Sequence, residues 1–201
     1  MNLHSDDRQN QADNYSISPE EATLFFQCLT SVLFKMDANK AARFVKEHGQ
    51  GDGTFIFRQS SSTSGFALTF VHHHRCLHEK IAVMGNGGAV GMCGIVRKSV
   101  MAIIQYYQMN NIGRTTTRLT RISPTIRTIT TDVLRNINPN FVMDERTVVG
   151  FAHVTELVAV AEQLVLNLSL FAPGLDLVMN NLPMSVVDFV NLFLGSKLHE
   201  R

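Results

Sequence analysis

Three short segments, "TFIFRQ" (54–59), "GFALTFVH" (65–72) and "CLHEKIAVM" (76–84), constrain this chain more than any other feature. Each holds aromatic and β-branched residues between Gly, Ser or polar turn residues, which predicts a strand. The connections are a Ser/Thr-rich loop and the short "HHHR", so the strands fold back on one another as an antiparallel meander. "GNGGAVGM" then supplies a turn and a further short strand.

Helical patterns flank these strands. "SISPEEATLFFQCLTSVLF" offers Ser18 as N-cap, Pro19 at the first helical position, and Glu20 and Glu21 in the first turn. Asp37 caps a second helix, "ANKAARFVKEH", whose Ala41, Phe44 and Val45 share one face; Gly49, Gly51 and Gly53 then release the chain into the first strand. "RKSVMAIIQYYQMN" places Val100, Ile103, Ile104 and Tyr107 at helical spacing. Helix, strands, helix is the order of an α+β sandwich. Beyond residue 122, a stretch rich in threonine precedes the long helix pattern "FAHVTELVAVAEQLVLNLSLF", a Pro-Gly break at 173 and 174, and the amphipathic "MSVVDFVNLFLGSK", which Gly195 ends. Residues 1 to 17 read as a flexible tail.

Composition limits the function classes. A chain of 201 residues, 45% hydrophobic with 13 phenylalanines, buries a proper core. A net charge of +1 argues against a general polyanion binder, so no nucleic-acid partner is expected and any anion recognition is local. Residues 148–172 come closest to a membrane span, but His153, Glu156, Glu162, Gln163 and Asn167 interrupt them, which predicts a buried helix and no span. Cys28, Cys76 and Cys93 form an odd, widely spaced set without a CxxC pair. Neither a disulfide framework nor a zinc module follows, and a reducing, cytoplasmic setting is the expectation. The N-terminus is polar and acidic, unlike a secretory signal.

One charge sits inside an apolar strand. Arg58 in "TFIFRQ" is costly to desolvate unless an anion meets it, so it is either half of a structural ion pair, with Glu79 as the candidate, or a binding site. The serine-rich loop that follows favours the second reading. "HHHRCLH" gathers His72, His73, His74, Cys76 and His78, but neighbouring strand residues alternate faces and cannot all converge, so an exposed hairpin without a metal is expected. "GNGGAVG" has neither GxGxxG spacing nor a following GKS or GKT, and reads as a turn. The arginines of "GRTTTRLTRISPTIRT" alternate with threonine as on a solvated strand face, and Tyr106 and Tyr107 belong to a helix core. No GxSxG, HExxH or CxxxxxR pattern accompanies any cysteine or serine, so neither an enzyme nor a cofactor is expected.

Taken together, "GTFIFRQSSSTSGFALTF", "CLHEKI" and "SVMAIIQYY" resemble the phosphotyrosine-binding Src homology 2 (SH2) domain, with Arg58, Ser60, Gly65, His78 and the Tyr106-Tyr107 pair in register from about Lys35 to Ile122. "TRLTRI" looks like the short final strand of that family. The resemblance implies an antiparallel sheet flanked by two helices, and a pocket in which Arg58 grips the phosphate through paired charge-assisted bonds. It implies that Ser60, Ser61, Ser62 and Thr63 donate to the remaining phosphate oxygens, that Ala67 and Lys80 contact the tyrosine ring, and that His78 braces the pocket. Many members carry an arginine early in the first helix where this chain has Ala38, with Lys35, Lys40 or Arg43 as substitutes. Glu79 stands where an apolar residue usually helps to select the residues after the phosphotyrosine.

The expected organisation is a tail at 1–17, an SH2-like domain at 18–122 and a helical extension at 123–201. In the alternative, 95–183 is one helical insertion and 184–195 is the second family helix. The added helices resemble those of bacterial effectors, notably from Legionella, which combine a compact phosphotyrosine domain with little flanking selectivity. That resemblance implies tyrosine-phosphorylated partners in a host-cell cytoplasm. The competing expectation is a scaffold protein that no longer binds phosphate and docks through its helical segment.

Overall fold

The computed structural model describes residues 17–48, 51–61, 65–85, 89–139, 154–170 and 177–195. Of the expected tail at 1–17, residues 1–16 lie outside the described residues, as do the loop positions 62–64, the segment 140–153 and the last six residues, whereas Ile17 is buried in the core and does not belong to a flexible tail. The fold is α+β. Five strands, β1 (Phe55–Gln59), β2 (Phe66–His72), β3 (Arg75–Met84), β4 (Ala89–Met92) and β5 (Ile95–Arg97), form one antiparallel sheet in sequence order. The helices are α1 (Pro19–Val32), α2 (Ala38–His48), α3 (Val100–Met109), α4 (Pro124–Ile137), α5 (Val154–Asn167) and α6 (Val186–Leu194).

Local chemistry accounts for most of these boundaries. Ser18 and Glu21 form a reciprocal capping box at the start of α1, satisfying two amide donors that the first turn leaves free. Asp37 accepts from the Lys40 amide at 2.7 Å and starts α2, whose Ala41, Phe44 and Val45 are buried. Ser185 caps α6, and Gly195 ends it at φ 70°, in the left-handed region that favours glycine, with Ser99 Cβ and the Lys98 carbonyl oxygen 3.1 and 3.2 Å from where a Cβ would sit. The strand β5 was not expected: only three residues long, it lies in the stretch that also leads into α3.

The register of β1, β2 and β3 sorts side chains onto two faces. Arg58, Ala67 and Lys80 are directly opposite one another, as are Phe57, Leu68 and Glu79. Paired residues share a face and neighbours alternate. One face therefore carries Ile56, Arg58, Ala67, Thr69 and His78 and packs on α2, where the Cys76 thiol donates to the Ala42 carbonyl at 3.3 Å. The other carries Phe55, Phe57, Phe66, Leu68 and Phe70, all buried.

That second face is closed by aromatic packing from both ends of the chain. Phe57 stacks on Phe66 at 5.0 Å between ring centroids, Phe189 and Phe193 of α6 lie against Phe57 at 6.3 and 6.0 Å, and Phe25 of α1 meets both α6 rings. α3 covers β4 and β5 and touches α6. α4 and α5 pack on α1, with the Thr130 and Thr30 hydroxyl oxygens 2.9 Å apart inside the α1–α4 contact. The helices after residue 122 are therefore part of one core with the sheet, and α6 lies on the face opposite Arg58.

Two backbone pairings tie distant segments to the sheet. Phe55 and Ile122 form a parallel bridge, with the Phe55 amide donating to the Arg121 carbonyl and the Ser123 amide to the Phe55 carbonyl. This is where "TRLTRI" runs beside β1. Gly53, at φ 82°, is required there, because a Cβ would collide with the Arg118 backbone oxygen. Phe34 and Met179 form an antiparallel bridge, with the Lys35 amide on Val178 and the Asn180 amide on Leu33.

Candidate binding site

Arg58 is the one residue of β1 whose side chain is both charged and buried, at 4% exposure. Its Nε donates to Thr69 Oγ1 at 3.0 Å and its Nη1 to the Gln59 carbonyl at 3.0 Å. A guanidinium has five N–H donors, so the remaining ones are left for another acceptor. Among the described residues no carboxylate lies within ion-pair distance of it. Burial lowers the Arg58 pKa, and the Asp37 charge at the start of α2 acts in the opposite direction. The proposed pairing with Glu79 fails for a simple reason: Glu79 is opposite Leu68 in the register and points to the other face, where it neighbours Cys93.

Thr69 links the arginine to the third strand. Its Oγ1 lies 2.9 Å from His78 Nδ1 while accepting from Arg58, and it is fully buried. A hydroxyl that accepts from Arg58 still has its own proton to give, which suits an unprotonated Nδ1 on His78. His78 is an exposed side chain, yet partial desolvation of its ring and then the Arg58 charge both lower its pKa, favouring that neutral imidazole. Sequence reading missed Thr69, although it lies two residues from Ala67 and so on the same face.

The other expected residues divide by location. Ala67 is buried directly across from Arg58, and Lys80 continues the row as an exposed side chain on β3. Ser60 is half-buried, with its amide donating to the Gly65 carbonyl at 2.8 Å, and Ser61 is exposed. Ser62 and Thr63 lie outside the described residues. Ala38 opens α2 where an arginine was missing from the pattern, while Lys35, Lys40 and Arg43 are all exposed. The Lys40 amide donates to the Asp37 carboxylate at the α2 start, and the Asp37 charge acts on Arg58, so the N-terminal end of α2 lies on the same side of the sheet as Arg58.

Other candidate chemistry is quiet. Burial raises the pKa of Cys28 and of Cys76, and Cys93 is pushed up to about 12 by partial desolvation of its sulfur and by Glu79, so none is an activated thiolate. Tyr107 is core, with its hydroxyl donating to the Met92 carbonyl at 2.8 Å. A cleft of about 470 Å³ opens between α1, α3 and α4, but it contains none of the Arg58 face and mixes Glu20 and Glu21 with Arg121 and Arg127. No described helix is long and apolar enough to cross a membrane.

Comparison with known proteins places a family on this face. The family model described as the SH2 domain matches residues 34–107, from the bridge residue Phe34 to the buried Tyr107. Among solved structures, the chain is similar to the SH2 domain of a Monosiga brevicollis CRK/CRKL homolog (crka1), with 17% identity, coverage of 42% of this chain and 77% of that one, and a TM-score of 0.37. No curated protein matches. An SH2 domain is a non-catalytic binding module, and the match implies protein partners that contain phosphotyrosine. Residues 34–107, which hold Arg58, Thr69 and His78, match the SH2 domain, and α1, α4, α5 and α6 lie outside the matched residues.

Proposed function

We propose that this chain binds tyrosine-phosphorylated proteins by seating the phosphate on Arg58 and the 60–63 loop, with little dependence on flanking sequence. The observation that carries this reading is the Arg58 guanidinium: buried, oriented by Thr69 and Gln59, and without a carboxylate among the described residues. Such a charge gains most from a dianion that brings its own acceptor oxygens. Ser60, Ser61, Ser62 and Thr63 come one residue after Arg58 in the chain and are the donor-bearing residues this reading assigns to the remaining phosphate oxygens, with Ala67 and Lys80 assigned to the ring. Low flanking selectivity is supported by Glu79, a charge where an apolar selectivity residue usually stands.

On this proposal residues 18–122 form the module, and the helices from 123 onward enlarge its core instead of serving as free docking surfaces. Leu157, Ala161 and Leu164 of α5 and Phe189 and Phe193 of α6 are already buried, which weighs against the scaffold reading. The proposal extends to a bacterial effector acting on host phosphotyrosine signalling. That part is supported by the resemblance of the added helices alone.

The test is a titration of the full chain with a fluorescent phosphotyrosine peptide and its unphosphorylated twin, with free phosphotyrosine as competitor. Binding of the phosphorylated peptide alone is expected, with strong competition from the free amino acid. Arg58→Ala is expected to weaken binding by about 2–5 kcal/mol, the range for truncating one partner of a buried charge pair. Arg58→Lys should fall nearly as far, because an ammonium lacks the paired planar donors. Equal binding of both peptides, or full affinity in Arg58→Ala, overturns the proposal.

A further inference from the structure

The tip of the β2–β3 hairpin gathers donor atoms that strand alternation alone would separate. His72 is the last residue of β2, and His73 and His74 form the turn at φ 46° and 62°. Two positive φ values make the tight turn that reverses a hairpin, and alternation of faces does not persist through it. The His73 ring consequently comes to lie beside that of His72, with centroids 4.2 Å apart. Asp52, from the loop before β1, places Oδ2 3.5 Å from His73 Nδ1. One donor atom from each of Asp52, His72 and His73 lies within 4.8 Å of the other two.

The surroundings favour ligation over a simple ion pair. His72 Nδ1 is 2.7 Å from Thr117 Oγ1, and His73 Nε2 is 3.3 Å from Thr116 Oγ1. Each imidazole thus has one nitrogen within hydrogen-bond distance of a threonine hydroxyl and a second nitrogen that can serve as a ligand; ligating histidines generally use their other nitrogen in this way. We propose that Asp52, His72 and His73 form a site for a divalent transition-metal cation of the zinc type, with water completing the coordination sphere. Two imidazoles and one carboxylate are a donor set that zinc accepts, and three protein ligands leave a position open. Zinc with bonds of about 2.0–2.2 Å holds its donors about 3.4 Å apart, so the three side chains close inward on binding. Their exposure permits this: the His73 and Asp52 side chains are 69% and 42% exposed. The bound ion joins the loop before β1 to the hairpin tip, and through the threonines to the segment that returns after α3. The site is independent of phosphate binding.

The full chain is to be titrated with zinc sulfate against a chromophoric chelator, as wild type, His73→Asn, Asp52→Asn and the control His74→Asn. Asparagine tolerates the left-handed turn, so the hairpin is kept, and circular dichroism checks the fold. One equivalent of zinc is expected to bind wild type and His74→Asn, with affinity about tenfold or more lower in the other two. Zinc should also raise the Tm of wild type and His74→Asn, and not that of His73→Asn. Equal affinity in all four proteins, or no stoichiometric binding to wild type, overturns the proposal.

Discussion

The two faces of β1, β2 and β3 are built from the same strands with side chains offset by one residue, and they serve opposite ends. On one face Phe55, Phe57, Phe66 and Phe70 are buried, with Phe57 and Phe66 against the aromatic rings of α6, which in turn meet Phe25 of α1. On the other, Arg58, Thr69 and His78 form a hydrogen-bonded row under α2. The aromatic face is satisfied within the molecule. The polar face is not, because the guanidinium keeps donors with no acceptor among the described residues. On the proposed function, stability and recognition fall to different sides of one sheet, so either should be breakable without the other.

The largest expected effect is on the aromatic side. Phe193→Ala empties space against Phe25, Phe57 and Phe189 and should cost about 3–5 kcal/mol in urea unfolding. The fraction that stays folded should bind phosphotyrosine peptide with unchanged affinity. Arg58→Met is the converse: removal of a desolvated charge for an apolar side chain should leave unfolding free energy equal or higher, while peptide binding disappears. A pair of variants that both lose stability, or both lose affinity, would break the division between the faces.

The division was partly legible in the sequence. Arg58 announced itself because a charge directly after Phe55, Ile56 and Phe57 violates the apolar strand pattern, and the caps at Ser18 and Asp37 located α1 and α2 by their turn chemistry. Thr69 gave no such signal, since a threonine is ordinary in a strand and only the register places it against Arg58. α4 was hidden by threonines with poor helix propensity; Thr128, Thr130 and Thr131 return their hydroxyls to carbonyls one turn back, which satisfies them inside the helix. "HHHR" forms the exposed hairpin turn that the alternation argument implied; what alternation could not show is that positive φ at His73 and His74 brings the His72 and His73 rings side by side. The pairing of Phe34 with Met179 joins residues far apart in the chain, and local patterns carry no information about such contacts.

Thr69→Val sharpens the polar side. The substitution keeps the shape and removes the acceptor of Arg58 Nε, leaving a buried donor unpaired at about 1–3 kcal/mol. Both the unfolding midpoint and the phosphotyrosine affinity should fall, which separates it from Phe193→Ala. A smaller effect concerns pH. Because partial desolvation and Arg58 hold the His78 pKa below its ordinary 6.5, the folded state resists protonation more than the unfolded chain does. The contribution is complete above about pH 6.5 and is lost as pH falls below it, so Tm should drop in mild acid. His78→Gln should flatten that part of the Tm against pH curve, and an unchanged slope would remove His78 from the row.

The smallest expected effect tests whether the late segment is tied to the binding strand. Gln59 follows Arg58 and faces away from it; its Nε2 donates to the Asn181 carbonyl at 2.8 Å and to Val32 at 3.3 Å, and its Oε1 accepts from Asn180 at 2.9 Å. These bonds join β1 to the chain leading into α6, beside the Phe34–Met179 bridge. Gln59→Ala removes them in a half-buried setting, where water replaces part of what is lost, so about 1 kcal/mol of stability should go. If the segment only braces the aromatic face, peptide affinity is unchanged and amide exchange quickens at residues 178–180 alone. If affinity falls as well, the late segment also positions Arg58, and the two faces are coupled through the one residue that touches both.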